Sequence, residues 1–551
     1  MYRESRSRVL IEFLFFTFIV SATSHLLFSW MGYNPTDDGF TLAYSRRILE
    51  GQIPHRDFII IRPFLSPLLH TPFVLWGGEY TFWLSRFFVW FQFACIAWIW
   101  TFIINGFLGK PFNTIERNLV SLITFVLSAN VFPIIAWHTI DGLFLFSIGL
   151  ALCLSKNRIG ISAGYVLIAM AYLCKQSFIP AAPLVICILG NRRKIKYWIA
   201  IAVPGILYVL FMLFTGALSD AILQLGSQHG ILSVGVKSYL TNWMTLLGVL
   251  IGYFLVRLAV GNPPVNTPLD KSLQKKSALA LLFLTPTSAA ALSMFPYWFY
   301  NLYQVSFGLF GMVIGVFLYF ALEDFEDRAR KKKIRITLLA LLTAWSTSLS
   351  LGYNSPVLAS GLLVTLLITY ALSHVTRKPI RFSLILLAVA LNTSAFVTAR
   401  HSIIYREQPA KNLTYPLGTV LRGGNYIKTN VNTYEFLADL RKAVDLAVNN
   451  GSAYTIIPDN AGYWVKSRQP NPISIDWVQG TELNNPLLLD RIVADLESRR
   501  GDLIIITQKV RASTLALGFD PLPETNHYAI VVYVRSHFKK FAETRFFELY
   551  K

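Results

Sequence analysis

The segment "VLIEFLFFTFIVSATSHLLFSW" (residues 9–30) is followed closely by "NPTDDGFTLAYSRRILEGQIPHRDFIIIRPF" (residues 34–64). About 20 consecutive apolar residues are enough to cross the hydrocarbon core of a bilayer. The first segment is too long for the core of a signal peptide and has no small-residue cleavage site after it, so we expect a retained membrane helix. The second segment is then the first loop, and it is unusually rich in charge.

Similar apolar runs recur through most of the chain. Of its 551 residues, 54% are apolar and only 15% are charged, which places it outside the range of ordinary soluble proteins. Runs of roughly bilayer length are found at 9–30, 80–107, 118–136, 142–155, 159–174, 178–191, 197–215, 240–260, 278–295, 301–322, 336–351, 357–373 and 382–399. The pattern predicts a polytopic α-helical membrane protein with about 13 transmembrane helices.

The basic residues are distributed unevenly between alternate connections. With the N-terminus in the cytoplasm, 24 of the 31 Lys and Arg residues before residue 400 fall on the cytoplasmic side. Cytoplasmic loops of membrane proteins carry such an excess, so the net charge of +20 needs no nucleic-acid partner. The first loop, residues 31–79, is therefore expected on the outer side, in an integral protein of the cell membrane.

The chain changes character at about residue 400. We expect residues 1–399 to form the membrane domain and residues 400–551 to form a small extracytoplasmic α/β domain. Its "SAYTIIPDNAGYWV", "DLIIIT" and "YAIVVYVRS" are typical of strands, whereas "NTYEFLADLRKAVDLAV" and "LLLDRIVADLESR" have helical periodicity.

The first outer loop gathers acids and cations at one membrane surface. Helical spacing begins at Phe40, and Thr36 is a candidate N-cap with Asp37 and Asp38 in the first turn. A helix-capping role would account for one of these acids but not for the whole group of acids and cations in the loop. A carboxylate beside cations suits a reaction in which a base deprotonates a hydroxyl while cations neutralise a phosphate leaving group. His55 and Arg56 are candidate phosphate contacts on this reading.

The loop resembles that of the GT-C superfamily of integral-membrane glycosyltransferases, which includes protein O-mannosyltransferases and aminoarabinose transferases. Bacterial members have an acidic pair and then a "Y..A..ll.G..pyrDf...kPpl" pattern, and "DDGFTLAYSRRILEGQIPHRDFIIIRPFLSPLL" (residues 37–69) follows its order. The resemblance implies inverting sugar transfer from a polyprenyl-phosphate donor. It makes Asp37 the catalytic base and Asp38 its catalytic neighbour. Asp38 and Asp57, the second loop acid, would support acceptor binding or a divalent metal, and Arg62 would be a phosphate ligand. "RPFLSP" in place of a double proline, and Asp for Glu at the second acid, leave the donor's identity open.

Two further polar residues are expected near the outer ends of helices. Asp141 lies at the start of the fourth span, where relatives also have Asp, and it is predicted to support the acceptor or a metal, with helix capping as the alternative. Lys175 follows the fifth span, where relatives often have Lys, and is a second phosphate candidate, with a snorkelling lysine as the alternative. His138 is expected to be a hydrogen-bonded structural residue.

The prediction leaves several identities open. Asp37 and Asp38 are compatible with a divalent metal, Mg²⁺ or Mn²⁺, or with direct hydrogen bonding. The acceptor is a glycan, a lipid or a protein, and membrane lipids surround the helices. The rival interpretation is a polytopic transporter or lipid flippase, which would place ionisable residues at mid-membrane and show related halves.

Overall fold

The computed structural model describes residues 6–109, 111–130, 132–228, 230–260, 271–295, 301–322, 328–349, 354–451 and 453–551. Up to residue 402 these residues are almost entirely helical. The helices in this part of the chain are α1 (Arg6–Phe28), α2 (Phe40–Leu49), α3 (Leu65–Trp76), α4 (Thr81–Phe107), α5 (Thr114–Ala129), α6 (His138–Cys153), α7 (Arg158–Tyr172), α8 (Ala181–Ile188), α9 (Ile195–Phe214), α10 (Leu218–Gly226), α11 (Ile231–Thr241), α12 (Trp243–Val260), α13 (Lys271–Leu292), α14 (Leu302–Leu322), α15 (Arg328–Ser348), α16 (Ser360–Leu372) and α17 (Lys378–Ser402).

Each of the thirteen apolar runs coincides with a helix, but fewer of these helices qualify as membrane spans. Within the described residues, six are long and apolar enough to cross a membrane: α1, α4, α9, α12, α14 and α17. The helices α6, α7 and α16, and the segment that contains α8, are apolar but shorter. The structure is therefore compatible with an integral membrane protein, whereas a count of thirteen spans is not confirmed.

Glycines allow two of the candidate spans to approach each other closely. Gly248 and Gly252 of α12 face Gly311 and Gly315 of α14, and a Cβ atom added at Gly252 would lie 2.2 Å from the carbonyl oxygen of Met312. Small residues permit such close packing of membrane helices, where dispersion contacts replace the hydrophobic effect.

We expect Gly252→Ala to lower the stability of the protein by about 1–3 kcal/mol, because the added methyl group must displace the backbone of α14. The thermal unfolding midpoint in detergent would measure this. Gly106→Ala is the matched control, since a Cβ atom at this helical glycine of α4 meets no other atom within 4 Å. Equal midpoints for the two variants would contradict the packing argument.

The residues after α17 form a small sheet with helices on both faces. The strands are β1 (Tyr415–Pro416), β2 (Lys428–Thr429), β3 (Ala453–Ile457), β4 (Leu503–Gln508), β5 (Lys540–Glu543) and β6 (Phe547–Tyr550), and the helices are α18 (Val431–Asn449), α19 (Ala461–Trp464), α20 (Pro486–Glu497) and α21 (Ala529–His537). β1 pairs with β2, and the four-stranded sheet has the order β3-β4-β6-β5, parallel between β3 and β4 and otherwise antiparallel.

Successive residues of β4 point to opposite faces of this sheet. Ile504 and Ile506 pack with α18, whereas Leu503 and Ile505 pack with α20 and α21. The α18 and α20 predictions are confirmed, but the strand prediction for "YAIVVYVRS" is wrong: Ala529–His537 is a helix. Its buried residues Ile530, Val531 and Val534 have the spacing of one helix face, so packing overrides the strand preference of β-branched residues.

The loop of residues 31–79 contributes directly to both of these cores. Phe58 and Ile60 join the core on the α18 side, whereas Ile59 and Ile61 join the core on the α20 side. The four side chains are nearly inaccessible to solvent, and the Ile59 amide donates to the carbonyl oxygen of Ser474 at 2.7 Å. This explains why a loop rich in charge also contains "FIII", and it joins the loop to the C-terminal sheet domain.

Candidate functional site

The acids Asp37 and Asp38, called here the acid pair, lie in a tight turn directly before α2. The Asn34 side chain accepts from the amides of Thr36 and Asp37 at 3.1 and 3.3 Å, and the Asp38 carboxylate accepts from the Asn34 amide at 2.8 Å. The helix begins at Phe40 with Gly39 as its N-cap. The predicted Thr36 cap is therefore wrong, because Asn34 has taken the donors of this turn.

Gly39 lets the turn contact the C-terminal domain. Its φ of +90° lies in the region that favours glycine, and an added Cβ atom would lie 2.5 Å from the Cα atom of Gly462 in α19. A Cβ atom at Gly462 would in turn meet the Tyr33 hydroxyl at 2.1 Å. The two glycines thus bring the acid pair against the "PDNAGYW" segment of the domain.

Asp37 is buried and paired with residues that follow α17. The Tyr405 hydroxyl donates to its Oδ2 atom at 2.7 Å, and an Arg406 nitrogen lies 2.8 Å from the same oxygen. Burial raises the pKa of Asp37, and Arg406 and then Tyr405 oppose that shift. The carboxylate is consequently a stronger base than an exposed aspartate, and it is held in position by two donors.

Asp38 faces a different cation. An Arg86 nitrogen of α4 lies 3.3 Å from its Oδ1 atom, and the same guanidinium donates to the carbonyl oxygens of Ser29, Met31 and Gly32 at 2.7–3.2 Å. Burial raises the pKa of Asp38, with the Arg86 charge opposing it. Arg86 thus fixes the chain that leads into the acid pair.

A third buried acid comes from the C-terminal domain. Asp459 accepts from the Trp477 indole at 3.2 Å and from the Gln479 side-chain amide. Burial raises the pKa of Asp459 to about 7, and the charge of Asp37 adds to this rise. The two carboxylates are therefore close enough to influence each other.

Arg62, His138 and Lys175 are called here the basic cluster. Arg62 and His138 lie around Phe40, the first residue of α2, and Lys175 contacts Thr139, the residue after His138. The Phe40 ring centroid is 6.0 Å from the Arg62 guanidinium and 6.3 Å from the His138 ring. Lys175 donates to the Thr139 hydroxyl at 3.0 Å, and burial followed by the charge of Arg62 lowers its pKa to about 7. Phe40 follows Asp38 by two residues in the chain, so one short segment connects the acid pair to the basic cluster.

Two members of the basic cluster, Arg62 and His138, differ in their hydrogen bonding. Arg62 donates to the buried Glu482 at 2.8 Å. His138 is buried, and neither ring nitrogen has a hydrogen-bond partner among the described residues, so the expected hydrogen-bonded structural role is not observed. Unpaired buried nitrogens are costly, which makes His138 a candidate ligand contact.

The structure does not bring three predicted residues to the acid pair. Arg56 and Asp57 form an ion pair of 2.8 Å on an exposed surface, and Asp57 also accepts from the Ile53 amide at 2.7 Å. His55 is buried with its nitrogens on Gln224 and Tyr208 at 2.9 and 2.6 Å. Burial lowers the pKa of His55 to about 4, so it is neutral and does not suit the predicted phosphate contact.

Asp141 lies inside the helical bundle instead of beside the acid pair. Its carboxylate accepts from the Ser66 hydroxyl at 2.5 Å and the Gln92 amide at 2.7 Å, and it lies 3.1 Å from a nitrogen of His70. These contacts join α3, α4 and α6. Because its oxygens are already bonded, Asp141 does not suit support of an acceptor or a metal.

A small cavity of about 40 Å³ opens beside Asp38. Its lining includes Tyr33, Arg86, Tyr405 and Arg400, the last from the end of α17. Arg400 donates to the Ala129 carbonyl oxygen at 2.6 Å and lies over the Trp90 ring. The acid pair is therefore bounded by guanidinium groups from several parts of the chain.

These residues do not fit a divalent metal. Each carboxylate of the acid pair is paired with a guanidinium, and a cation there would be repelled by Arg86 and Arg406. No group of three or more His, Cys, Asp or Glu side chains suitable for a metal occurs in the described ranges. The predicted Mg²⁺ or Mn²⁺ site is therefore not carried into the mechanism.

Sequence reasoning missed the partners that the acid pair takes from outside the loop. Arg86 is one of the seven Lys and Arg residues before residue 400 that do not fall on the predicted cytoplasmic side. This exceptional position could have marked Arg86 as a site residue. Tyr405, Arg406 and Asp459 come from distant segments, and no local pattern marks them.

We expect the pH dependence of catalysis to report on Asp37 if it acts as a base. Because a base works only when deprotonated, kcat/KM should fall as the pH falls through its raised pKa. Arg406→Gln removes a charge that lowers this pKa, so the acid limb of the profile should move to higher pH. Lys411→Gln, at an exposed position, is the control. A limb that stays in place or moves to lower pH in Arg406→Gln would contradict the assignment.

No protein-family model, no curated protein and no solved structure matches the chain.

Proposed function

We propose that the protein is an integral-membrane glycosyltransferase of the GT-C type, which moves a sugar from a polyprenyl-phosphate donor to an acceptor at the outer face of the membrane. The observation that supports this most is the buried Asp37, held by Tyr405 and Arg406 on the chain segment that leads to the basic cluster at Phe40. A basic carboxylate and phosphate-binding cations are the two groups that such a transfer needs.

Asp37 acts as the general base in this proposal. It takes the proton of the acceptor hydroxyl while that oxygen attacks the anomeric carbon of the donor sugar. The bond from that carbon to the phosphate oxygen breaks, and polyprenyl phosphate leaves with the electron pair. Attack opposite to the leaving group inverts the anomeric configuration. Asp38 and Arg86 keep the turn in position.

The basic cluster holds the donor phosphate. Arg62 and Lys175 neutralise the charge that develops on the leaving group, and His138 offers a ring nitrogen to it. Burial leaves Lys175 with a pKa of about 7, and a neighbouring phosphate would favour its protonated form. Donor binding would therefore charge the lysine where the charge is needed.

The proposed protein has a defined topology in the membrane. About 13 apolar segments enter the membrane, the N-terminus is cytoplasmic, and the first outer loop and the C-terminal domain lie outside. Surrounding lipids cover the outward faces of the helices. The acceptor is a glycan, a lipid or a protein.

The experiment is turnover by the purified full-length protein in lipid vesicles. Polyprenyl phosphates carrying different hexoses or pentoses are supplied in turn with glycan, lipid and peptide acceptors, and release of polyprenyl phosphate is measured. We expect acceptor-dependent release from at least one donor. Transport of an intact donor across the bilayer without cleavage would instead favour a flippase and overturn the proposal.

A further inference from the structure

A second cavity is lined in part by Tyr463 of α19, the helix whose Gly462 contacts Gly39 beside the acid pair. It has a volume of about 500 Å³, which is within the range of small-molecule sites. The apolar part of its lining includes Leu437, Leu440 and Val444 of α18. None of the residues discussed for the transfer reaction lines it.

The polar lining of this cavity is predominantly basic. Four cations and two acids border it: Arg422, Arg441, Lys466, Arg468, Glu79 and Asp445. Two of the cations are engaged, since Arg441 donates to the Thr419 carbonyl oxygen at 3.2 Å and Lys466 donates to that of Val74 at 2.5 Å. Arg422 and Arg468 are exposed and have no hydrogen-bond or ion-pair partner among the described residues.

An aromatic residue completes the lining. Tyr463 is half-buried, and its hydroxyl lies 2.6 Å from that of Tyr454, which fixes the ring. A fixed aromatic ring offers a flat apolar surface with a polar edge. Such a surface can stack against the C–H face of a sugar, while unpaired guanidinium groups bind carboxylate or phosphate in bidentate fashion.

We propose that this cavity binds an anionic glycan, with a sugar ring on Tyr463 and its carboxylate or phosphate groups on Arg422 and Arg468. In the chain, Tyr463 directly follows Gly462, which contacts Gly39 beside the acid pair. If the proposed function holds, the cavity is positioned to bind an acidic part of the acceptor, and this acceptor role rests on that proposed function. The binding itself does not.

The test is binding of defined oligosaccharides to the full-length protein in detergent, without donor, by titration calorimetry. The probes are a uronic-acid oligosaccharide, a phosphorylated oligosaccharide and a neutral oligosaccharide of matched length, with inorganic phosphate as a fourth. We expect one or both acidic oligosaccharides to bind, with affinity that falls as salt is added, and the neutral one to bind at least about tenfold more weakly.

The double variant Arg422→Ala/Arg468→Ala should weaken that binding by about tenfold or more, because two charge-assisted contacts are lost. Lys442→Ala is the matched control, since Lys442 adjoins Arg441 on α18 but does not line the cavity. Arg422, Arg468 and Lys442 are all exposed, and gel filtration checks that the variants are folded. The inference is overturned if no acidic oligosaccharide binds, if the neutral probe or inorganic phosphate binds as tightly, or if the double variant and the control behave alike.

Failure of this inference is distinguishable from failure of the proposed function. Asp37→Asn should bind the acidic oligosaccharide as the wild type does, because Asp37 does not line the cavity. Binding without any turnover would support the cavity and count against the transferase. Turnover without binding would support the transferase and count against the cavity.

Discussion

Replacing Asp37 with Asn is expected to lower the turnover number by about 10²- to 10⁴-fold, the range for loss of a general base. The amide has nearly the shape of the carboxylate and can still accept the Tyr405 hydrogen bond, but it cannot take the acceptor's proton. Because the donor phosphate contacts the basic cluster in our proposal, KM for the donor should change little. The measurement is initial-rate kinetics of polyprenyl phosphate release in vesicles.

Glu50→Gln is the matched control for this variant. Glu50 is an acid of the same outer loop, at the end of α2, and it pairs with Arg46 at 2.8 Å away from the acid pair. We expect it to turn over as the wild type does. If Asp37→Asn retained full turnover, or if Glu50→Gln lost as much activity, Asp37 could not be the base.

Replacing Arg47 with Ala is expected to destabilise the protein by about 3–5 kcal/mol, the usual result of removing one partner of a buried ion pair. Two nitrogens of Arg47 lie 2.7 Å from the two carboxylate oxygens of Asp476, and the guanidinium also donates to the Ile473 carbonyl oxygen. Both side chains are buried, so the variant would leave the Asp476 charge without its partner. The measurement is the thermal unfolding midpoint in detergent.

A double variant separates loss of the charge partner from loss of packing. Arg47→Met/Asp476→Leu replaces both charges with apolar groups and should recover much of the lost stability. Arg500→Ala is the surface control, because its pair with Glu497 is exposed and should contribute nothing measurable. An unchanged midpoint in Arg47→Ala would show that this pair does not hold the outer loop to the domain.

Local patterns predicted the elements whose apolar residues repeat on one face. Helical spacing from Phe40 onward gives α2, and the same periodicity gives α18 and α20. The apolar runs were predicted from their length instead, because about 20 consecutive apolar residues can cross a bilayer as a helix. α21 could not be recognised, because "AIVVYV" has a strand composition and becomes helical only through packing on the sheet.

The sequence predicted the residues of the candidate site that have a local signal, but not their partners from distant segments. Asp37 and Asp38 are adjacent in the sequence, so the acid pair could be recognised from a single loop. Their partners Tyr405, Arg406 and Asp459 reach them through tertiary contacts, and a single sequence contains no signal for such contacts. Arg62 and Lys175 were predicted from the loop and a helix end. The structure places Arg62 and His138 around Phe40, and Lys175 within electrostatic range of Arg62.

Three consecutive residues that were predicted to belong to one site differ in their burial. His55, Arg56 and Asp57 are consecutive, yet His55 turns into a neutral buried network while Arg56 and Asp57 remain at the surface. The unusual backbone of His55, with φ of 69°, accompanies this change of direction. Composition alone cannot show on which side of a turn each side chain will lie.

The central claim is that a carboxylate activates the acceptor for one direct displacement at the anomeric carbon. The most direct measurement is the anomeric configuration of the product, read by NMR after turnover of a polyprenyl-phosphate sugar of known configuration. We expect the product to have the opposite configuration to the donor and Asp37→Asn to form almost none of it. A product that retains the donor's configuration would rule out a single direct displacement.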